Sequence, residues 1–265
     1  MKITLVQMPI ALGKPEENFR AAGEWIRKAS KDAPDVVVLP EMWNTGYSLG
    51  NIQEIADRSG SRVREEIAPL ARECRCNLVA GSVANLDDAK VYNSMYVFDR
   101  QGEEQARYDK MHLFQLMDEH LYLAGGEGIA TFTLEGHLCG GVICYDIRFP
   151  ELIRTLALQG VKILFVVAEW PYPRLSHWRH LLISRAIENQ MFLVACNRVG
   201  TEGKTTFFGH SMVIDPWGEV VGELQEEEGL LSVEIDPLQV EEIRKKIPVF
   251  ADRRPELYSL DSSVL

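Results

Sequence analysis

Two halves of the chain repeat one order of predicted elements, and this repeat constrains the possible folds more than any other feature. Each half reads strand, helix, strand, helix, strand and hairpin, and both hairpins turn at an Asp-x-x-Gly-Glu segment. Strands that alternate with amphipathic helices are typical of a layered α/β domain. The repeat therefore predicts two sheets packed face to face, with the helices outside and an approximate two-fold axis between the halves.

The two halves place their elements at corresponding positions. The predicted strands of the first half cover residues 3–7, 36–39, 78–83, 91–98 and 103–108, and its helices cover residues 15–31 and 63–74. Those of the second half cover residues 138–143, 163–167, 192–196, 210–214 and 219–224, with helices at residues 151–159 and 178–186. In such a sandwich the loops after the first two strands of each half meet at one end. We therefore expect the segments that follow Leu39 and Ile143 to be neighbours.

The overall composition indicates which partners the protein has. A chain of 265 residues with 46% hydrophobic content can bury a full core, so one compact domain is expected. A net charge of −11 argues against a nucleic-acid partner, which would need clustered cations. Apolar runs fall short of the roughly 20 residues that cross a bilayer, and Gln7 and Pro9 interrupt the first run, so we expect a cytoplasmic protein with no membrane partner.

The cysteines favour a reducing compartment, because five is an odd number and a chain of this size needs no disulfide framework. Cys74 and Cys76 form the one pair that invites a metal interpretation, but no second pair and no histidine at ligand spacing accompanies them. We interpret both as ordinary thiols and expect no metal.

Cys144 is the candidate nucleophile. It ends the apolar run 140–143 and is followed by a polar segment in which Pro150 can begin a helix. The cysteine thus lies at the carboxyl end of a strand, where open α/β sheets hold their reactive groups.

Two other residues have a position suited to chemistry. Glu41 directly follows the apolar run 36–39 and has Met42 and Trp43 as neighbours, so it is either a partly desolvated general base or an ordinary turn cap. Lys110 follows the first hairpin among apolar residues, where it could stabilise a developing oxyanion, although a surface lysine is the commoner case. Position alone does not decide between these interpretations.

The segments around these residues resemble the three signature segments of the nitrilase superfamily of carbon–nitrogen hydrolases. They are Leu-Pro-Glu-Met-Trp around Glu41, Asp-Lys-Met-His-Leu-Phe around Lys110 and Ile-Cys-Tyr-Asp-Ile-Arg-Phe-Pro-Glu-Leu around Cys144, in that family's order. The similarity extends from Met1 to about Asp236. It implies a four-layer αββα sandwich of two sheets of the six-stranded type, with a Glu-Lys-Cys triad that hydrolyses amides or nitriles and needs no cofactor.

The resemblance also implies a fourth carboxylate, for which Glu119 is the match and Asp118 the neighbouring alternative. On this basis we expect Glu41 to take the Cys144 proton, while Lys110 and the backbone N–H of Tyr145 stabilise the oxyanion. A free Glu is a weaker base than a thiolate by about 6 kcal/mol. Burial of Glu41 and the positive charge of Lys110 must reduce this difference in pKa between the carboxyl group and the thiol.

The loop at residues 168–174 is the predicted pocket wall, because its two prolines and two aromatic rings make a stiff surface around Glu169 and Trp170. A rigid connector is the alternative. Within the superfamily the segments Trp-Pro at 170–171, Arg-Ala-Ile-Glu-Asn-Gln at 185–190 and Cys-Asn-Arg-Val-Gly at 196–200 resemble the omega-amidases, which act on 2-oxoglutaramate and 2-oxosuccinamate. These substrates carry carboxylates.

Three arginines are candidates for binding that carboxylate, namely Arg148, Arg174 and Arg198, and for each a structural ion pair is the alternative. The remaining functional alternatives are a deaminated-glutathione, aliphatic or carbamoyl amidase of the same superfamily, or a non-catalytic binding protein on the same fold. The resemblance further implies a homodimer or larger homo-oligomer. Residues 1–240 would form the hydrolase domain, and residues 241–265 a tail that packs on a partner subunit.

Overall fold

The strands of the computed structural model, which describes residues 1–258, form two large sheets and one small one. In chain order they are β1 (Lys2–Gln7), β2 (Val36–Val38), β3 (Asp57–Arg58), β4 (Asn77–Asp87), β5 (Lys90–Phe98), β6 (Glu104–Asp109), β7 (Ala130–Leu134), β8 (His137–Ile143), β9 (Ile163–Ala168), β10 (Phe192–Asn197), β11 (Val199–Glu202), β12 (Thr205–Phe208), β13 (Met212–Ile214), β14 (Val220–Glu223) and β15 (Gly229–Glu234). The end of the predicted tail, residues 259–265, lies outside the described residues.

The helices lie between these strands. They are α1 (Pro15–Ser30), α2 (Ile52–Ile55), α3 (Ala68–Cys74), α4 (Glu119–Tyr122), α5 (Pro150–Leu158), α6 (Leu175–Asn189) and α7 (Gln239–Lys246). A π-helical turn, Val63–Ile67, precedes α3, and short 3₁₀ helices cover Leu49–Asn51, Gln115–Met117, Cys144–Arg148 and Pro255–Leu257. Between residues 1 and 258 there is no helix with the length and apolar character needed to cross a membrane.

The two large sheets have the same internal order, as the sequence repeat predicts. One runs β15-β1-β2-β4-β5-β6, with β3 beside β4, and the other runs β7-β8-β9-β10-β13-β14. In each sheet three central strands are parallel, and the strands on both sides of them are antiparallel. Helical crossovers connect the parallel strands, whereas short turns connect the antiparallel pairs β4–β5, β5–β6, β7–β8 and β13–β14.

The sandwich follows from the alternation of side chains along each strand. Val36 and Val38 of β2 lie in the core cluster that also contains Ile143 of the opposite sheet. Val37, on the other face, packs in the cluster that contains residues of α1 and α3. Each sheet therefore buries one face against the other sheet and one face against helices, which is the predicted αββα arrangement.

Several strands differ from the prediction. The edge strands β7 and β15 lie outside the predicted segments. Strand β7 alternates buried and exposed residues and β15 has no buried residue, so neither has the continuous apolar run of a central strand. The strand predicted at 210–214 begins instead at Met212, because His210 has a φ of 52°, a left-handed conformation that a strand does not tolerate. Helix α7 crosses the domain boundary predicted at residue 240, with Val240 packed in the core.

One end of the sandwich collects the loops that matter for chemistry. The segments after β2, β6, β8 and β9 all end at this edge, which brings together Glu41, Lys110, Cys144 and Glu169. Parallel central strands produce this convergence, because their carboxyl ends point the same way.

Candidate active site

Glu41 is held by four hydrogen bonds in a fully buried position after β2. Its Oε1 accepts from Tyr47 Oη at 2.7 Å, from Asn93 Nδ2 at 2.8 Å and from Lys110 Nζ at 2.9 Å. Its Oε2 accepts the backbone N–H of Glu169 at 2.7 Å. Oε1 is thus surrounded by donors, while Oε2 accepts from one donor among residues 1–258 and retains capacity to act on a bound group.

Lys110 follows β6 and is fully buried, so it is not the surface lysine of the alternative interpretation. Its Nζ lies 2.9 Å from Glu41 Oε1 and 2.8 Å from Glu119 Oε1. Burial alone would lower the pKa of this ammonium, but the charges of Glu119 and Glu41 raise it well above its ordinary value. Lys110 is therefore a permanent positive charge between two carboxylates.

Glu119, at the start of α4, is the second carboxylate that contacts Lys110. Its Oε1 contacts Lys110, and its Oε2 accepts the backbone N–H of Phe114 at 3.1 Å. Burial and the charge of Glu41 raise the pKa of Glu119, whereas Lys110 opposes that rise. The neighbouring Asp118 is exposed and outside the network, so the geometry brings Glu119 to the site rather than Asp118.

Cys144 stands at the junction between β8 and the 3₁₀ helix Cys144–Arg148. Its φ of 46° is left-handed, a conformation that is strained for a residue with a side chain and is often found at functional sites. Only 8% of the residue is exposed. Burial raises the pKa of the Cys144 thiol well above its ordinary value, and the charge of Glu41 adds to this while Lys110 opposes it. The resting sulfur is therefore a thiol that needs a base.

Asp146 holds the turn that presents Cys144, and sequence reasoning missed it. Its carboxylate accepts from Ile143 N at 3.0 Å, from Tyr108 Oη at 2.7 Å and from both N and Nδ1 of His112 at 3.0 and 2.8 Å. The available signal was an acidic residue three positions after the last residue of the strand, the spacing of a helix capping box.

Tyr47 and Asn93 were also missed as members of the site. The Tyr47 hydroxyl contacts Oε1 of both Glu41 and Glu119, at 2.7 and 2.8 Å. Burial, followed by the charges of Glu119 and Glu41, raises the pKa of Tyr47 well above its ordinary value, so the group stays a phenol. Asn93 comes from the middle of β5, where nothing in the sequence marks it as different from a structural residue.

A narrow pocket is lined by Cys144 and Glu119. Five of the six predicted oxyanion and substrate-binding residues line it, namely Tyr145, Arg148, Glu169, Trp170 and Arg174. The backbone N–H of Tyr145 belongs to the first turn of the helix that begins at Cys144, where N–H groups have no partner within the helix.

Arg198 is the predicted binding residue that does not line the pocket. Its guanidinium is buried, lies 3.1 Å from Glu169 Oε2, pairs with Glu202 and donates to the Ile10 carbonyl at 3.0 Å. These contacts match the alternative that the sequence left open, a structural ion pair. Arg198 contacts a residue of the pocket wall rather than the pocket itself.

Arg148 and Arg174 have no carboxylate partner within residues 1–258. The Arg148 guanidinium lies 4.9 Å from the centre of the Trp170 ring, and that of Arg174 lies 5.4 Å from the centre of the Phe114 ring. Both arginines line the pocket with their positive charge uncompensated by an ion pair, which makes them suited to an anionic ligand.

Glu169 occupies the pocket wall with its side chain fully buried. Burial raises the pKa of Glu169 well above its ordinary value, and the charges of Glu202 and Glu41 act in the same direction against Arg198. The backbone N–H of Glu169 donates to Glu41, and its carboxyl group accepts from Arg198.

All five cysteines are free thiols, and Cys74 and Cys76 lie at the end of α3 and just after it. Within residues 1–258 no group of three or more His, Cys, Asp or Glu side chains is arranged to hold a metal ion.

Comparison with known proteins gives a consistent result. A family model described as carbon–nitrogen hydrolase matches residues 2–245. The 2-oxoglutaramate amidase of Bacillus subtilis (strain 168) is 50% identical over 256 residues, covering 97% of this chain and 98% of that protein. The omega-amidase of Homo sapiens is 32% identical over 274 residues, covering 98% and 97%. A solved carbon–nitrogen hydrolase of Xanthomonas campestris, with an arsenic adduct in its active site, matches with a TM-score of 0.91 and 29% identity, covering 98% of this chain and 99% of that one.

Proposed function

Because this chain belongs to the carbon–nitrogen hydrolase family, we propose that it is an amidase that releases ammonia from the terminal amide of a small carboxylate-bearing acid such as 2-oxoglutaramate. The observation that carries the proposal is the position of Cys144 in a small pocket, next to the buried network of Glu41, Lys110 and Glu119. We assign these four residues to the reaction.

In the first step Glu41 removes the proton from the Cys144 thiol, and the sulfur attacks the carbonyl carbon of the amide. The carbonyl π electrons move to oxygen and produce an oxyanion, which Lys110 and the backbone N–H of Tyr145 stabilise. Oε2 of Glu41 is the oxygen that receives the proton, since Oε1 already accepts from three donors.

In the second step the carbon–nitrogen bond breaks. Glu41 returns its proton to the nitrogen, which leaves as ammonia, and the oxyanion reforms a carbonyl as a thioester on Cys144. Glu41 then activates a water molecule that attacks the thioester carbon. Release of the acid product restores the thiol, so the cycle consumes one water and needs no redox step.

The fixed charges explain how a weak base can serve a thiol whose pKa is raised by burial. Lys110 has a permanent positive charge within the network, and it stabilises the negative charge that passes from carboxylate to sulfur to oxyanion. Because Glu119 also contacts Lys110, the ammonium is held in position throughout the cycle. General-base catalysis of this kind contributes about 10²- to 10⁴-fold in rate.

The substrate assignment depends on the pocket. Arg148 and Arg174 place two cations in its wall, beside Cys144 and Glu119. The name of the Bacillus subtilis relative, a 2-oxoglutaramate amidase, fits a substrate with both an amide and a carboxylate. A deaminated-glutathione, aliphatic or carbamoyl amidase, or a binding protein without catalysis, remains an outcome of the test.

Two expectations about the protein as a whole are part of the proposal. We assign it to the cytoplasm, which the five free thiols support. We also propose a homodimer or larger homo-oligomer in which the tail packs on a partner subunit, supported by the exposure of Leu257 and Tyr258. Analytical ultracentrifugation of the full chain, and of a chain ending at residue 248, tests this assembly.

Ammonia release from a panel of amides tests the activity. The panel contains 2-oxoglutaramate, glutaramate, the uncharged butyramide and a carbamoyl acid. We expect 2-oxoglutaramate to give the highest kcat/KM, and we expect Cys144→Ala to abolish turnover, a loss of about 10⁴-fold or more. Cys74→Ala is the matched control, because this thiol lies at the end of α3 away from the pocket. Absence of turnover with every amide would leave the binding-protein alternative.

A further inference from the structure

One carboxyl oxygen of Glu169 has no part in the proposed reaction steps. Oε2 accepts from Arg198 at 3.1 Å, but no donor among residues 1–258 lies within hydrogen-bonding distance of Oε1. The side chain is fully buried and lines the pocket. The Arg198 guanidinium, 3.1 Å from Oε2, favours the ionised form of Glu169 in spite of its burial. Because a buried polar atom without a partner is unfavourable and rare, we take Oε1 of this carboxylate as an acceptor for a donor on the ligand.

The backbone of Glu169 shows which part of the ligand comes near. Its N–H contacts Oε2 of Glu41 at 2.7 Å, and this is the oxygen that delivers a proton to the departing nitrogen in the proposed function. The amide nitrogen must therefore approach Oε2, on the side of the pocket formed by Glu169. The carbonyl oxygen points away from it, toward Lys110 and the backbone N–H of Tyr145.

We propose that Oε1 of Glu169 accepts a hydrogen bond from the amide nitrogen of the substrate and thereby selects primary amides over esters. This inference rests on the proposed function and names a specificity-determining residue of the same site. A primary amide presents two N–H donors at this position, whereas an ester presents an oxygen that only accepts. Two acceptors that face each other in a buried site repel. The ester is therefore bound less tightly in the transition state, whereas the amide gains a hydrogen bond.

Arg198 makes this arrangement possible. Arg198 contacts Oε2 of Glu169, which fixes the carboxyl group so that Oε1 is the oxygen left without a protein partner. Its positive charge also offsets the cost of burying a carboxylate. Glu202 pairs with the same guanidinium but does not line the pocket, so it offers a matched control.

The test compares an amide and a methyl ester of the same acid, glutaramate and monomethyl glutarate. Both form the same thioester on Cys144, so kcat/KM differs between them only through acylation. In the wild type we expect the amide to have the higher kcat/KM, although an ester is the more reactive acyl compound. A wild-type preference for the ester would overturn the inference.

The variant Glu169→Gln reverses the selection. Its amide oxygen faces Arg198 and its NH₂ group faces the pocket, so a donor replaces the acceptor. We expect kcat/KM for the amide to fall about 10- to 100-fold, while kcat/KM for the ester is unchanged or rises. Glu202→Gln should leave the ratio of the two values as it is in the wild type.

A loss of the same size for both substrates in Glu169→Gln would show a merely structural role and would overturn the inference. Glu169→Met, of similar size but with neither donor nor acceptor, is the second variant, and thermal melting shows which of the two is folded. Glu169→Met should also lower the ratio of kcat/KM for the amide to kcat/KM for the ester. If the wild type hydrolyses no amide, the proposed function fails and this inference fails with it. If the wild type is active and the ratio does not change, only the inference fails.

Discussion

The backbone N–H of Glu169 donates to Oε2 of Glu41 over 2.7 Å, and this bond connects the loop after β9 in one sheet to the loop after β2 in the other. Together with the three donors on Oε1, it fixes both oxygens of the carboxylate before any ligand binds. A base held in one orientation needs no reorganisation during proton transfer, which is how preorganised sites lower their barriers. The sandwich thus supplies orientation to the reaction.

Glu41→Gln should lower kcat by about 10³-fold, because glutamine has nearly the same shape but cannot remove the thiol proton. The measurement is steady-state ammonia release from 2-oxoglutaramate. Glu24→Gln, on the exposed face of α1, is the control and should have wild-type activity. A kcat for Glu41→Gln within threefold of the wild type would show that another group acts as the base.

Asp146→Asn should destabilise the protein and also impair the reaction. Asparagine cannot accept from all the donors that Asp146 now satisfies, so we expect the free energy of unfolding to fall by about 2–3 kcal/mol. Because the same carboxylate holds the turn at Cys144, kcat/KM should fall at least about tenfold. Urea unfolding and steady-state kinetics on the folded fraction measure the two effects.

Asp215→Asn is the matched control for that experiment. Asp215 accepts the N–H groups of Trp217 and Glu219 at 2.8 and 2.9 Å in the turn between β13 and β14, away from the pocket. Its loss should cost about 1 kcal/mol of stability and leave kcat/KM unchanged. If the two variants reduced activity equally, the turn at Cys144 would have no special part in catalysis.

Arg174→Gln and Arg148→Gln should each raise KM for 2-oxoglutaramate, and kcat/KM should fall about 10- to 100-fold because a charge-assisted hydrogen bond to the carboxylate is lost. Turnover of butyramide, which has no carboxylate, should change less than threefold. Arg27→Gln, which removes an exposed ion pair with Glu73, serves as control. Equal losses of kcat/KM with 2-oxoglutaramate and butyramide would show that these arginines do not bind the carboxylate.

Alkylation of Cys144 by N-ethylmaleimide should become faster with pH, by about tenfold for each pH unit between pH 7 and pH 9. The sign follows from the raised pKa of the thiol, because below that pKa the reactive thiolate is a minor form that increases with pH. Mass spectrometry of the modified peptide, with Cys144→Ala as blank, gives the rate. A rate that is constant between pH 6 and pH 8 would instead indicate a thiolate already formed by pairing with Lys110.

The sequence carries the strand–helix repeat and the residues Glu41, Lys110, Glu119 and Cys144 as local signals. Glu41, Lys110 and Cys144 each stand in a signature segment, whereas Glu119 had Asp118 as an alternative. The repeat predicts that the loops after Leu39 and Ile143 meet. Period-two and period-3.6 patterns are properties of contiguous residues, and for this reason the sandwich could be inferred from the chain alone.

Contacts between distant segments are not written in any local pattern, and here only the tertiary structure decided. Arg198 is paired with Glu169 and Glu202 while Arg148 and Arg174 line the pocket without an ion pair in the described chain, yet all three look alike in sequence. The same holds for Tyr47, Asn93 and the free oxygen of Glu169. Whether a charge is compensated depends on which side chains the fold brings within about 4 Å, and that distance is set by packing rather than by the order of residues.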